Sequence, residues 1–165
     1  MTVDKKKYLK LLFVLFILIA IVLCISIFQN KLKKNAQISK QPITINLIAN
    51  VHPSLPWSFK SLNKRISVLP GEVKTIEYIV ENLENGNNTG IATFAYSPKE
   101  LGKYIRKLNC FCFDAQTLKA KQSERYSLVL LIDPEVTKDS KTKGIKEVTL
   151  QFTFFDYKKY NEGKS

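Results

Sequence analysis

Residues 11–28, LLFVLFILIAIVLCISIF, run for 18 positions without a charge. As a helix they would be ~27 Å long at ~1.5 Å per residue, which matches a bilayer core of ~30 Å. Side chains this uniformly apolar are not expected to stand in water, so a single transmembrane helix is expected here. The alternative is a cleaved secretory signal, but its apolar region would be shorter, about 7–15 residues, and no Ala-x-Ala follows. Leu23 before Cys24 is too bulky for a lipoprotein signal.

Lysines flank the run on both sides: Lys5, Lys6, Lys7 and Lys10 before it, and Lys31, Lys33, Lys34 and Lys40 after it. The positive-inside rule is nearly balanced, but a short amino-terminal tail stays while a long domain translocates largely regardless of charge. The expected topology is an amino terminus in the cytoplasm and the remaining chain outside, in a bacterial inner (cell) membrane with the domain in the periplasm. The formal charge is +12, and residues 1–34 hold half of the excess, with seven lysines against Asp4. Lysines there anchor helix ends and meet anionic lipid. The other bases are scattered, so no nucleic-acid partner is expected.

Period-two alternation dominates beyond the polar stretch QNKLKKNAQISKQP. In ITINLIANV, Ile43, Ile45, Leu47, Ala49 and Val51 share a face; in EVTLQFTF, Val148, Leu150, Phe152 and Phe154 do. Further strands are expected at 73–81, 91–96 and 125–132, with a longer, less regular one between Trp57 and Val68. Turn signals separate them at LPGE (69–72), ENGNNTG (84–90), SPKELG (97–102) and DPEVTKDSKTKG (133–144). Short strands at this spacing, without amphipathic helices, imply an all-β, immunoglobulin-like antiparallel β-sandwich. The expected organisation is a cytoplasmic tail (1–10), the transmembrane helix (11–28), a linker (29–42), the sandwich domain (43–157) and a flexible tail (158–165).

Two of the chain's three cysteines fall in KLNCFCFDAQ. Read as a strand, NCFCF puts Cys110 and Cys112 on one outer face and Phe111 and Phe113 on the core side. A disulfide between them is disfavoured there, because residues i and i+2 of a strand have Cα atoms ~6.6 Å apart. A redox pair would want C-x-x-C at a helix amino terminus. Zinc wants four ligands, and the chain has one histidine, His52, which reads as a loop residue. Copper(I) is soft, favours thiolate and can be held by few ligands, so a C-x-C pair suits it. Lys107 and Arg106 would favour the thiolate form, with Asp114 opposing them. The chemistry favours copper(I), with inert buried cysteines as the main alternative. The sole methionine is Met1, and there is no Ser/His/Asp set, H-E-x-x-H or phosphate loop, so catalysis has no visible apparatus.

With SPKELGKYIRKLNCFCF at 97–113, LPWSF at 55–59, LPGE at 69–72 and IDPE at 132–135, the chain resembles the CtaG-type cytochrome c oxidase assembly proteins over about residues 45–155. The resemblance implies a membrane-anchored, immunoglobulin-like domain that is not an enzyme. It further implies that the domain carries copper(I) on Cys110 and Cys112 and inserts it into the CuB centre of cytochrome c oxidase subunit I. Pro98, Gly102, Tyr104 and Lys107 match the stretch leading into the motif, and Lys107 is a possible accessory residue. Members usually carry a further cysteine just after the span, where SIFQNKLKKN has none. Cys24, ~6 Å inside the end of the span by helical rise, is either a small apolar helix residue or a second accessory site. Where the family tends to have Met-Pro upstream of IDPE, this chain has Tyr126-Ser127. Expected partners are oxidase subunit I, a copper-donor protein, the membrane and a second copy in a copper-linked homodimer. The alternative function is a membrane-tethered thiol oxidoreductase that keeps a partner's cysteines reduced.

Overall fold

In the computed structural model, which describes residues 5–38 and 41–163, the chain divides into two compact units, Met1–Ser39 and Lys40–Ser165. The first contains helix α1, Lys5–Ile38. Within it Leu9–Asn30 is long and apolar enough to cross a membrane, with a mean hydropathy of 3.4 and none of it buried. This is compatible with a single-pass anchor. The helix is longer than the span at both ends. It begins inside the expected tail, and residues 29–38, read above as linker, continue it. No proline or glycine interrupts QNKLKKNAQI, which is built largely of good helix formers.

The second unit is a sandwich of two sheets. Its strands are β1 (Ile43–Val51), β2 (Trp57–Ser61), β3 (Arg65–Val68), β4 (Val73–Asn82), β5 (Asn88–Ser97), β6 (Ile105–Cys110), β7 (Gln116–Leu118), β8 (Ser123–Ile132) and β9 (Glu147–Asp156). One sheet has the order β3-β1-β9-β5-β7 and the other β2-β4-β8-β6. The alternation read from the sequence is realised: Ile43, Ile45 and Leu47 of β1 and Val148, Leu150, Phe152 and Phe154 of β9 are all buried.

Three expectations need correction. The irregular strand over 57–68 is two strands in different sheets. Trp57 and Phe59 face the core from one sheet, the chain bends at 62–64, and Val68 enters the core from the other. The sandwich is not wholly antiparallel, because β1 and β9 pair in parallel from Thr44↔Glu147 to Val51↔Phe154. Parallel neighbours need a long connection, and here the whole domain supplies it. Finally, part of the expected flexible tail forms a short helix, α2 (Tyr157–Glu162). Asp156 caps it by accepting a hydrogen bond from the Lys159 N–H at 2.9 Å.

Phe111, 7% exposed, joins the layers. Its ring lies 5.3 Å from Tyr78 and 5.6 Å from Tyr126 in one sheet, and 5.0 Å from Phe152 and 5.7 Å from Phe154 in the other. Asn82 is the polar counterpart at the sandwich margin, with no exposed surface. Its amide nitrogen donates to the Gly86, Leu118 and Lys119 carbonyls, and its oxygen accepts from the Glu84 N–H at 3.1 Å. The side chain thereby ties the 83–88 turn to the 118–122 turn.

Two outcomes follow, both readable by denaturant unfolding of the full chain through the fluorescence of its one tryptophan, buried Trp57. Phe111→Ala should destabilise the domain by ~3–5 kcal/mol, as large core truncations do, whereas Phe113→Ala, at a position 55% exposed, should change it by less than about 0.5 kcal/mol. Asn82→Ala should cost ~2 kcal/mol or more, because buried carbonyls lose their donor.

Candidate metal centre

The cysteine pair is set by strand β6, an edge strand that pairs only with β8. Ile105 lies opposite Ile132 and Lys107 opposite Leu130, both of which face the core. The next pairings are Asn109 with Val129 and Cys110 with Leu128, so Leu108 is an extra residue with no opposite number. This is a β-bulge, and Leu108 is turned out to 53% exposure. Its consequence is positional. Residues three apart in a regular strand point to opposite faces, but the extra residue lets Lys107 and Cys110 both face inward.

The strand then stops, which corrects the reading of NCFCF as a strand. Phe111–Phe113 form a single 3-10 turn. The Cys112 N–H donates to Cys110 Sγ at 3.2 Å, and Gln116 Nε2 closes the turn by donating to the Phe111 and Asp114 carbonyls at 3.1 and 3.2 Å. Period-two facing is lost with the strand. Cys110 is 4% exposed rather than outward, Cys112 is half-buried, and of the two phenylalanines only Phe111 enters the core. The turn also draws the Cα atoms to 5.1 Å, and Cys110 and Cys112 are joined as a disulfide. Strand spacing argued against that bridge; turn spacing permits it.

Lys107 reaches the pair. Its Nζ lies 3.4 Å from Cys112 Sγ, 4.3 Å from the centre of the Phe94 ring on β5 and 5.4 Å from that of Phe113. Burial lowers the affinity of this amine for its proton, while the two ring faces are suited to its cationic form. Arg106, expected beside the thiols, points the other way and pairs with Asp133 at 2.8 Å. Asp114 is exposed. Tyr126, standing where the resembled family tends to have methionine, lies against Phe111, and burial pushes its phenol up to about 12. Gln116 and Phe94 had no signal as site residues: a glutamine in a polar stretch and one aromatic of a strand look ordinary in sequence.

The remaining motif residues build the frame. The Arg106–Asp133 pair and the Asp133 N–H donating to the Tyr104 carbonyl at 2.8 Å bind SPKELGKYIRK to IDPE. Asp133 also accepts from the Glu135 N–H, the main reason its carboxyl lies below the usual range, with Arg106 adding to it. Tyr104 donates to Asp139 at 2.7 Å, and Lys103 pairs with the same carboxylate at 2.8 Å and holds it strongly ionised. Gly102 lies under Tyr96, whose phenol ring and oxygen leave no room for a Cβ. In LPGE, Gly71 has φ +89°, a left-handed conformation suited to glycine. His52 is a loop residue, stacked on Phe155 at 5.0 Å.

Among the described residues no three His, Cys, Asp or Glu side chains gather as a metal site. Cys24 is a free, exposed cysteine of α1, in the other unit. The donor set is therefore two sulfurs at a sheet edge, too few for a structural zinc site and suited to a soft ion of low coordination number once reduced.

The profile of the family described as "Cytochrome c oxidase assembly protein CtaG/Cox11" matches residues 20–156. Cytochrome c oxidase assembly protein CtaG of Ehrlichia ruminantium (strain Gardel) is 38% identical over 123 residues, 74% of this chain and 70% of that protein. The protein of the same name from Sinorhizobium medicae (strain WSM419) is 38% identical over 115 residues, 70% of this chain and 58% of that one. Mitochondrial cytochrome c oxidase assembly protein COX11 of Dictyostelium discoideum is 33% identical over 123 residues, 74% of this chain and 39% of its own length. A match that begins within α1 and ends with the last residue of β9, at these identities, makes the chain a member of the CtaG/Cox11 family, whose proteins are cytochrome c oxidase assembly factors.

Proposed function

We propose that this protein is a membrane-anchored copper(I) chaperone that inserts copper into the CuB site of cytochrome c oxidase subunit I. The observation that carries the reading is the pair itself: two sulfurs at a sheet edge, one ending β6 and one on the turn after it, with no cluster of three His, Cys, Asp or Glu side chains among the described residues. Family membership supports the oxidase as the destination.

Copper is cargo here, and the protein's part is to hold and release it. Reduction of the Cys110–Cys112 bond frees two thiolates whose backbones the Gln116 clamp and buried Phe111 keep close. Lys107 stands beside Cys112 as the accessory group. An ion held by two thiolates at an edge is open to ligand exchange, which passes it first from a donor protein to the pair and then to the acceptor. Cys24, on the apolar helix, could receive copper only in the membrane-bound chain. With the amino terminus in the cytoplasm, the sandwich lies on the periplasmic side of the inner membrane. Two copies facing each other through the Cys110/Cys112 edge would supply four thiolates, enough to bridge two copper ions in a homodimer.

The disulfide itself favours a second reading, a tethered thiol oxidoreductase that keeps a partner's cysteines reduced. The two are separated by anaerobic titration of the full chain in detergent with copper(I) against a chelator. The reduced chain should bind about one copper per monomer, the oxidised chain should bind none until a thiol reductant is added, and Cys110→Ser with Cys112→Ser should abolish binding. Copper binding by the double variant would overturn the chaperone reading, and thiol–disulfide turnover without copper would favour the oxidoreductase. In cells, deletion should leave oxidase subunit I made but without CuB. Light scattering should show the dimer only after copper loading; a loaded monomer would rule the bridge out.

A further inference from the structure

The two sulfurs of the pair differ in how they can be reached. Cys110 Sγ points inward from β6, opposite buried Leu128, on a residue 4% exposed. Cys112 stands on the turn beyond the strand, half-buried, beside Lys107 and next to exposed Phe113. A disulfide opens when a thiolate attacks one sulfur and expels the other, so access decides which sulfur is attacked and which departs.

We propose that this disulfide is opened in one direction: an incoming dithiol attacks Cys112 Sγ, Cys110 Sγ leaves as the thiolate, and the mixed disulfide is carried by Cys112. The first step forms a bond between the reagent sulfur and Cys112 and breaks the bond between Cys112 and Cys110. In the second step the other thiol of the reagent attacks its own bound sulfur and releases Cys112 as a thiolate. The dithiol ends as a disulfide, two electrons have passed to the cysteine pair, and the two protons of the dithiol are left to solvent or to the cysteines. The geometry suits this order at the departing end as well, since the Cys112 N–H is already aimed at Cys110 Sγ from 3.2 Å. The reaction that must precede metal loading is thus a thiol–disulfide exchange with a dithiol reductant that approaches from the Cys112 side. This rests on the reading above only in placing reduction before loading, and its test uses no metal.

The probe is glutathione, a monothiol that cannot complete the exchange within one molecule, so that an early quench traps the mixed disulfide. The oxidised full chain in detergent is treated with glutathione, quenched with acid, alkylated, and the adduct located by fragmentation of the peptide carrying both cysteines. The adduct should sit on Cys112 with about ten-fold or greater preference. Equal labelling, a preference for Cys110, or two free thiols in that peptide before treatment would overturn the proposal. As a second measurement, in chains that also carry Cys24→Ser so that a single thiol remains, Cys110→Ser, which leaves Cys112, should react with 4,4′-dithiodipyridine about ten-fold faster than Cys112→Ser, and the gap should close in denaturing urea, where burial no longer separates the thiols. No gap in the folded chain, or a gap that survives unfolding, would likewise overturn it.

Discussion

The seat of Phe111 between the sheets is the contact on which the site depends. Its ring meets Tyr78 and Tyr126 from one layer and Phe152 and Phe154 from the other, at centroid distances of 5.0 to 5.7 Å. An aromatic side chain of this size gains most when fully covered. To reach that cover the chain must dive inward directly after Cys110. The dive ends the strand, produces the 3-10 turn and brings the two cysteine Cα atoms to 5.1 Å. A packing demand on one side chain thus sets the separation of the two sulfurs.

A second constraint acts just upstream. The bulge at Leu108 changes which later residues of β6 face the interior: Lys107 faces inward by regular alternation with Ile105, and the extra residue turns Cys110 to the same side. Burying even part of a lysine is expensive unless its head finds compensation; half-buried Lys107 has the Phe94 and Phe113 rings and Cys112 Sγ around its amine. Bulges commonly occur at sheet edges and beside functional sites, where they re-aim side chains. In this protein the re-aimed side chain is Cys110, which the bulge brings to the same side as Lys107.

The frame around the site is held mostly by polar contacts between turns. Arg106 and Asp133 join the segment before β6 to the IDPE turn, while Lys103 and Tyr104 share Asp139. Gly71 N–H donates to the Ile132 carbonyl, so LPGE meets the same corner. Motifs that are far apart in sequence therefore converge on the start of β6. These contacts brace the strand that leads into the cysteine pair.

By itself the sequence determined the apolar helix, the sandwich and the identity of its core faces. Each rests on local periodicity: a charge-free run, and alternation in which Val148, Leu150, Phe152 and Phe154 must share a side. It also singled out Cys110, Cys112 and Lys107, because three side chains of distinctive chemistry within six residues stand out against ordinary composition. The tertiary structure alone decided how they are disposed. Period two holds only while a strand stays regular, and the bulge and the turn both break it, so Cys110 turns inward, Phe113 outward and the cysteines join. The parallel pairing of β1 with β9 and the division of residues 57–68 between sheets were equally hidden, since alternation is the same in either direction and in either layer. Gln116 and Phe94 enter the site for the same kind of reason: contacts made across the fold leave no periodic mark on the chain.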